Sequence, residues 1–218
     1  MEALISVMSF NCRSRLWAFF VFCLWMPSVQ ADENCDPGKD VTRIAVAGGS
    51  ITEIIYALGR ESQLVAVDRT SNFPAAARSL PSVGYVRNLS AEGILSLRPT
   101  LVLGEDDMGP PEVLEQLASV SVDIRTVPEA HTPEGIVEKF KCVASLLGLS
   151  EAETSPHLLE MSRSVSVISS FPELVSDQDE AFVAIILNIQ SGSPIVAGSG
   201  TSGDGVISML AAGNAFQA

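Results

Sequence analysis

The sequence predicts an α/β protein of two Rossmann-like lobes joined by a long helix, with the second lobe incomplete in this chain. Two observations lead to this prediction. From residue 43 to residue 148, short apolar runs alternate with segments of helical periodicity, which is typical of βαβ units around a mostly parallel sheet. One long amphipathic segment, 151–171, then interrupts the alternation. The predicted domains are a signal peptide at 1–31, a first lobe at 32–150, a linking helix at 151–175 and the start of a second lobe at 176–218.

The first 31 residues have the pattern of a secretory signal peptide. Arg13 and Arg15 precede an apolar run, Leu16–Met26, and the small Ala31 stands directly before the predicted cut at Asp32. The apolar run is shorter than the roughly 20 residues that a membrane-spanning helix needs. We therefore predict that the segment is cleaved after Ala31 and that the protein is exported.

The chain is acidic, with 26 Asp and Glu residues against 13 Lys and Arg residues. Nucleic acid is therefore excluded as a partner, since binding to phosphates needs a basic surface. Two of the cysteines, Cys12 and Cys23, belong to the predicted signal peptide, which leaves Cys35 and Cys142. In an oxidising compartment these two can form a disulfide or stay reduced, and the sequence does not fix the distance between them.

The first lobe is predicted from apolar patterning. Its strands are short apolar or alternating runs: Arg43–Ala47, Leu64–Val67, Leu101–Leu103 and Val120–Ile124. Its helices follow from apolar periodicity: Ile51–Leu58, a short one around Ile94, Pro111–Ala118 and Pro133–Leu147. Cys142 lies off the apolar stripe of the last helix, which is formed by Ile136, Phe140, Val143 and Leu147.

A glycine pair separates the first strand from the first helix. Ser50 and Glu53 have the spacing of a capping box, so we expect them to start that helix, and Gly59 is expected to end it. A turn of this kind can also cradle a phosphate. However, the sequence has neither the full GxGxxG pattern nor the lysine of a P-loop, which favours a simple tight turn.

The linking helix and the start of the second lobe follow. An apolar stripe along 151–171 is formed by Leu158, Met161, Val165 and Ile168. After it, we predict a strand at Ala181–Leu187, a glycine-rich loop at Ser191–Gly205 and a helix at Val206–Ala211. A single strand and helix cannot cover their own apolar face. We therefore expect the chain to be a fragment that stops soon after the second lobe begins, with apolar surface exposed and one wall of the cleft missing.

Five segments together resemble the periplasmic haem-binding proteins of bacterial ABC haem importers. These belong to the helix-linked substrate-binding proteins, whose other members carry cobalamin or iron siderophores. The matching segments are RIAVAGGSITEIIYALG (43–59), VAVDRTSNFP (65–74), VGYVRNLSAEGILSLRP (83–99), VEKFKCVASLLG (137–148) and PIVAGSGTSGDGVISMLAAGNA (194–215). The resemblance covers nearly all of the chain after the signal peptide.

The resemblance implies roles for three residues of the third segment. Tyr85 matches the tyrosine that ligates the haem iron, and a phenolate oxygen is a suitable ligand for ferric iron. A free tyrosine has a pKa of about 10, so a metal or a cation must favour the phenolate at neutral pH. Arg87 is either that cation or the partner of a haem propionate. Glu92 either favours the first turn of a helix or, as the resemblance implies, docks onto arginines of the permease.

The two histidines are weaker candidates for ligands of haem iron. His131 lies in a loop and His157 near the start of the linking helix, and neither matches a ligand position of the resembled family. In some members of that family, the second lobe supplies a second axial ligand. The coordination number of the iron therefore stays open.

The resemblance implies a binding protein of the periplasm and not an enzyme. Its ligand would be haem, bound in the cleft between the lobes and passed to an ABC permease and its ATPase in the inner membrane. The same fold carrying an iron siderophore or cobalamin is the alternative. An α/β hydrolase is disfavoured, because the glycine-rich segment 198–203 does not contain GxSxG. A further alternative is that the shortened chain neither folds fully nor binds tightly.

Overall fold

The structure is a computed structural model that describes residues 35–175 and 181–217. The signal peptide predicted for residues 1–31 lies outside the described residues. The strands are β1 (Ile44–Ala47), β2 (Leu64–Val67), β3 (Gly84–Tyr85), β4 (Asn88–Leu89), β5 (Leu101–Gly104), β6 (Asp123–Thr126), β7 (Phe182–Val183), β8 (Ile186–Gln190), β9 (Ser193–Val196) and β10 (Gly213–Asn214). The α-helices are α1 (Gly49–Ala57), α2 (Ala91–Ser96), α3 (Pro111–Ser119), α4 (Pro133–Leu146), α5 (Glu151–Val175) and α6 (Ser202–Met209).

A parallel sheet in the order β2–β1–β5–β6 forms the centre of the first lobe. Strand β1 lies inside the sheet and is buried along its whole length. Its side chains alternate between the two faces. Ile44 and Val46 pack in a core with residues of α1, α4 and α5, while Ala45 and Ala47 pack in a core with residues of α2 and α3. Helices therefore cover both faces, as a parallel sheet requires, and the α/β prediction is confirmed.

The first helix begins two residues earlier than predicted, and the predicted capping box is wrong. Gly48 is the N-cap of α1, and no side chain caps this helix. Ser50 Oγ instead donates a hydrogen bond to Glu105 Oε1 at 2.6 Å. The capping-box pattern fails because the Ser50 hydroxyl bonds to a carboxylate at the end of β5 and not to its own helix. Gly59, with φ of 66°, follows the helix end as predicted.

The edge strand β6 begins later than the apolar alternation predicts. Val120 is the C-cap residue of α3 and is 55% exposed. Ser121 has a positive φ of 65° and turns the chain out of the helix. The strand therefore starts at Asp123, and all of its residues are half-buried.

Cys35 and Cys142 form a disulfide, with their Cα atoms 5.0 Å apart. This answers the question that the sequence left open. Cys142 is buried in the core of the lobe with Phe140 and Val143 of the same helix. The buried face of α4 is therefore wider than the apolar stripe and includes Cys142, which lies off that stripe.

Helix α5 is the long helix that the sequence predicts. Leu158 and Met161 pack against the core of the first lobe, and Val165 is buried. The predicted stripe thus faces the lobe. Within residues 35–175 and 181–217, no helix is both long enough and apolar enough to cross a membrane.

Residues 181–217 contain two small sheets and one helix. Strand β7 pairs in parallel with β10, and β8 forms an antiparallel hairpin with β9. The sequence predicts one strand at Ala181–Leu187, but the structure divides it into β7 and the start of β8. The predicted loop at Ser191–Gly205 is also wrong in part, because β9 and the start of α6 lie within it.

Helix α6 begins at Ser202 rather than at Val206. The Thr201 side chain caps it, since its Oγ1 accepts a hydrogen bond from Asp204 N at 3.3 Å. Large apolar side chains are exposed in this part of the chain: Phe182, Ile186, Leu187, Ile189, Ile195, Val206, Leu210 and Phe216.

Candidate functional site

The candidate site lies at the carboxyl edge of the parallel sheet, where open α/β sheets bind their ligands. Gly48 follows β1, Asp68 follows β2 and Glu105 follows β5, so the three residues meet at this edge. Asp68 is buried, and its Oδ1 accepts a hydrogen bond from Gly48 N at 3.2 Å. Its Oδ2 accepts a hydrogen bond from Thr70 N at 3.0 Å. These bonds join the ends of β1 and β2 and fix the start of the loop after β2.

Tyr85 lies on the β3–β4 hairpin, which is attached to that loop. Arg69 N donates a hydrogen bond to Gly84 O at 2.8 Å. Gly84 has φ of 107°, and a Cβ atom at this position would lie 2.7 Å from Asn88 O, so the turn needs glycine. Tyr85 is 42% exposed. The hairpin therefore presents a phenol to solvent on a fixed backbone.

Arg87, on the same hairpin, is held by an acidic residue from the loop after β5. Its Nε donates a hydrogen bond to Asp107 Oδ2 at 2.6 Å. The hydrogen bond and the charge of Asp107 raise the pKa of the Arg87 guanidinium. Asp107 therefore already balances the charge of Arg87, on the same hairpin as Tyr85.

Glu92 lies in the first turn of α2, immediately after the hairpin. Ser90 caps this helix, with its Oγ accepting a hydrogen bond from Gly93 N at 3.1 Å. Glu92 is exposed, and within the described residues it takes part in no ion pair. Its carboxylate is thus available both to the helix dipole and to a partner, and the two predicted roles stay open.

A buried ion cluster connects the ends of β5 and β6, and the sequence analysis missed it. Lys139 of α4 is 7% exposed, and its Nζ lies 3.1 Å from Glu105 Oε1 and 3.2 Å from Glu129 Oε1. Glu105 also accepts the hydrogen bond from Ser50. The sequence does contain a signal for this cluster. Lys139 stands beside Phe140 on the apolar face of a predicted helix, and a buried positive charge needs an acidic partner.

The same cluster bears on the phosphate alternative at the glycine pair. A Cβ atom on Gly48 would lie 2.9 Å from the Glu105 side chain. The Glu105 carboxylate therefore packs against the turn at the N-terminus of α1, where a phosphate would bind. A second anion would meet a like charge there, so the tight-turn interpretation is preferred.

A cavity of about 460 Å³ lies between the first lobe and α6. Its lining includes Phe73, which is 66% exposed, together with His131 and Lys139. The apolar part of its wall is formed by Ile54, Ala57, Ile136, Met161, Val206 and Met209. Tyr85 is not part of the lining, and His157 lies on α5. The structure therefore groups His131 with the cavity and Tyr85 with the hairpin.

Comparison with known proteins identifies the family. Residues 44–218 match the family model described as periplasmic binding protein. The chain belongs to the periplasmic binding protein family. This result agrees with the parallel sheet, the long helix α5 and the site at the carboxyl edge of the strands.

Several known proteins are similar to this periplasmic binding protein. A periplasmic haem-binding protein from Pseudomonas aeruginosa is 35% identical, with a TM-score of 0.72, over 81% of this chain and 63% of that one. The periplasmic haem-binding protein HutB of Vibrio cholerae is 34% identical, with a TM-score of 0.68, over 82% of this chain and 67% of that one. A vitamin B12-binding protein of Yersinia pestis (strain Pestoides F) is 34% identical over 88 residues, which are 40% of this chain and 31% of that protein. The chain thus spans less than two thirds of the Pseudomonas structure.

Within the described residues, no cluster of three or more His, Cys, Asp or Glu side chains has the arrangement of a metal site. Tyr85 itself offers one oxygen atom as a ligand. A porphyrin supplies four nitrogens of its own, so a single protein oxygen fits a haem better than a free metal ion.

Proposed function

We propose that this periplasmic binding protein is a haem-binding component of an ABC importer. It binds haem as cargo at the carboxyl edge of the sheet and delivers it to a membrane permease. The observation on which the proposal rests is Tyr85, an exposed phenol on a rigid hairpin at the edge where α/β proteins bind ligands. The haem-binding proteins of Pseudomonas aeruginosa and Vibrio cholerae support it by their similarity.

In this proposal the Tyr85 oxygen ligates the ferric iron. Haem supplies the metal and its macrocycle, and the chain supplies the axial oxygen and the surface on which the ring rests. Arg87 lies on the same hairpin as Tyr85, and Asp107 balances its charge. The role of the chain is to bind and release, and not to catalyse a reaction.

Glu92 is proposed to dock onto the permease, whose ATPase drives import. Its carboxylate is exposed at the start of α2, immediately after the Tyr85 hairpin. Docking at this point would bring the ligand edge of the sheet toward the membrane component. The periplasm is the proposed location.

Cobalamin is the second candidate ligand. The vitamin B12-binding protein of Yersinia pestis favours it, although its match covers only 88 residues. Tyr85 favours haem, because a phenolate is a good axial ligand for ferric haem iron.

An optical titration tests the proposal and is the first prediction. Ferric haem is added to the purified protein, to Tyr85→Phe and to Tyr85→Ala. The parent should give a saturable Soret shift with the charge-transfer bands of tyrosinate ligation. Tyr85→Phe keeps the ring and removes only the oxygen, so it should lose those bands and bind at least tenfold more weakly.

A parallel titration with cobalamin separates the two ligands. Saturable binding of cobalamin without a haem shift would overturn the haem assignment and leave the family intact. Equal haem spectra for the parent and for Tyr85→Phe would overturn the ligand role of Tyr85.

A further inference from the structure

The segment 69–91 has a charge pattern unlike the rest of the chain. The protein contains 26 acidic residues, but none lies between Arg69 and Ala91. Three arginines, Arg69, Arg78 and Arg87, lie in the same stretch. An acidic protein repels anions over most of its surface. A positively charged, acid-free segment beside the candidate site therefore points to an anionic group on the ligand.

The structure attaches Arg69 directly to the hairpin of Tyr85. Its backbone N–H donates to Gly84 O at 2.8 Å, and its carbonyl accepts a hydrogen bond from Asn72 Nδ2 at 3.2 Å. Both bonds fix the backbone of residue 69 next to the residue that precedes the tyrosine. The exposed side chain of Arg69 therefore starts from a backbone position beside the Tyr85 hairpin.

The three arginines differ in the hydrogen bonds and ion pairs that their guanidinium groups form. Arg87 is paired with Asp107 at 2.6 Å. Arg78 Nε donates to Asn72 O at 2.9 Å, which ties its guanidinium to the loop backbone. Arg69 is exposed, and within the described residues its guanidinium takes part in no ion pair or hydrogen bond. It is therefore the arginine of this segment with its charge and donors available.

The loop that begins at Arg69 also reaches the cavity. Phe73, four residues further on, lines it and is 66% exposed. The loop thus borders the Tyr85 hairpin through Arg69 and the apolar cavity through Phe73. A ligand with an apolar ring and peripheral carboxylates matches this combination of an exposed aromatic ring and a free guanidinium.

We propose that Arg69 binds a carboxylate of the ligand, while Tyr85 binds its metal. This inference rests on the proposed haem-binding function and adds the residue that recognises the carboxylate. It also changes the role of Arg87. In this proposal Arg87 pairs with Asp107 and stabilises the hairpin, and it does not bind a propionate.

The test, our second prediction, compares ferric haem with ferric haem dimethyl ester, in which both carboxylates are blocked. Each is titrated into the parent, Arg69→Gln and Arg163→Gln. Arg163 is an exposed arginine of α5, and its variant removes the same charge elsewhere. A hydrogen-bonded charge pair corresponds to a change of roughly tenfold or more in affinity. Arg69→Gln should therefore bind haem about tenfold more weakly and keep the tyrosinate bands.

The ester provides the decisive comparison. The parent should bind it about tenfold more weakly than haem, and Arg69→Gln should cause no further loss. Arg163→Gln should equal the parent with both ligands. Unchanged haem affinity in Arg69→Gln, or an equal loss with haem and with its ester, would overturn the role of Arg69 and leave haem binding intact. No saturable shift in the parent would instead overturn the proposed function, and the Arg69 proposal with it.

Discussion

Lys139 brings a charge into the interior of the first lobe. Its ammonium group is balanced by Glu105 and Glu129, which come from the ends of two neighbouring strands. The removal of one member from such a cluster leaves the others buried without compensation. In this case, the loss of the lysine would leave two carboxylates facing each other at the carboxyl edge of the sheet.

Lys139→Met is the third prediction. The methionine fills a similar volume, so the main effect is the loss of charge. We expect the free energy of unfolding to fall by about 3 kcal/mol, because two partly buried carboxylates lose their counter-ion. Urea denaturation of the purified protein measures this change.

Lys141→Met is the matched control on the same helix. Lys141 forms an exposed ion pair with Glu138, at 2.7 Å. Exposed ion pairs contribute little to the free energy of unfolding, so Lys141→Met should change it by less than about 0.5 kcal/mol. Equal effects of the two substitutions would show that the cluster around Lys139 has no special role.

Helix α6 depends on Asp204 at its first turn. Asp204 Oδ1 accepts a hydrogen bond from Asn214 Nδ2 at 2.9 Å, and Oδ2 accepts one from Gly200 N at 2.9 Å. The Asn214 bond, followed by the Gly200 bond, lowers the pKa of Asp204 below its ordinary value of 3.8. The carboxylate thus joins the loop before α6 to strand β10 after it.

The fourth prediction concerns the pH dependence of this element. Because the folded pKa is lowered, the contribution of Asp204 is fully present above its ordinary value of 3.8 and is lost as the pH falls through the folded pKa. At neutral pH, Asp204→Ala should reduce the hydrogen-exchange protection of residues 198–216 several-fold. As the pH falls below the folded pKa of Asp204, the parent and the variant should converge. A difference that persists unchanged at low pH would contradict the electrostatic explanation.

At the same scale, the elements differ in how far the sequence predicts them. Strands β1, β2 and β5 and helices α3, α4 and α5 follow from periodicity, because each buries a face against the core. Pairings that link distant residues do not follow from any local pattern. For example, Ser50 donates a hydrogen bond to Glu105, 55 positions away, and the capping box predicted for α1 therefore does not form.

At the candidate site, the sequence motif singles out Tyr85 but does not predict which residues contact its hairpin. Asp107 meets Arg87 across 20 positions of sequence, and the hydrogen bond from Arg69 N to Gly84 O joins two separate segments. Such contacts depend on how the loops after β2 and β5 fold over the sheet edge. Whether Glu92 docks onto a permease is a question of a second molecule, and it stays a prediction.

On the scale of the whole molecule, the Cys35–Cys142 disulfide cross-links the first lobe. The two cysteines are separated by 107 positions, so the bond closes a long loop in the unfolded chain. A cross-link of this span lowers the entropy of the unfolded state and stabilises the native one by about 4 kcal/mol.

The fifth prediction is that the Cys35→Ser/Cys142→Ser double variant loses about 4 kcal/mol in the free energy of unfolding. Chemical denaturation under oxidising conditions measures the loss. The parent treated with a thiol reductant is the control, and it should lose a similar amount. A double variant as stable as the oxidised parent would show that the cross-link does not contribute to stability.

The same disulfide determines what a protease could do to the chain. All strands of the central sheet and the whole Tyr85 hairpin lie between the two cysteines, whereas α5 lies outside the closed loop. One backbone cut anywhere between residues 35 and 142 leaves both pieces covalently joined, so the lobe cannot fall apart until the bond is reduced. A cut in α5 has no such protection, because no cross-link within the described residues joins residues 181–217 to the first lobe. In a compartment that contains proteases, the first lobe is thus the part of this molecule that survives a nick.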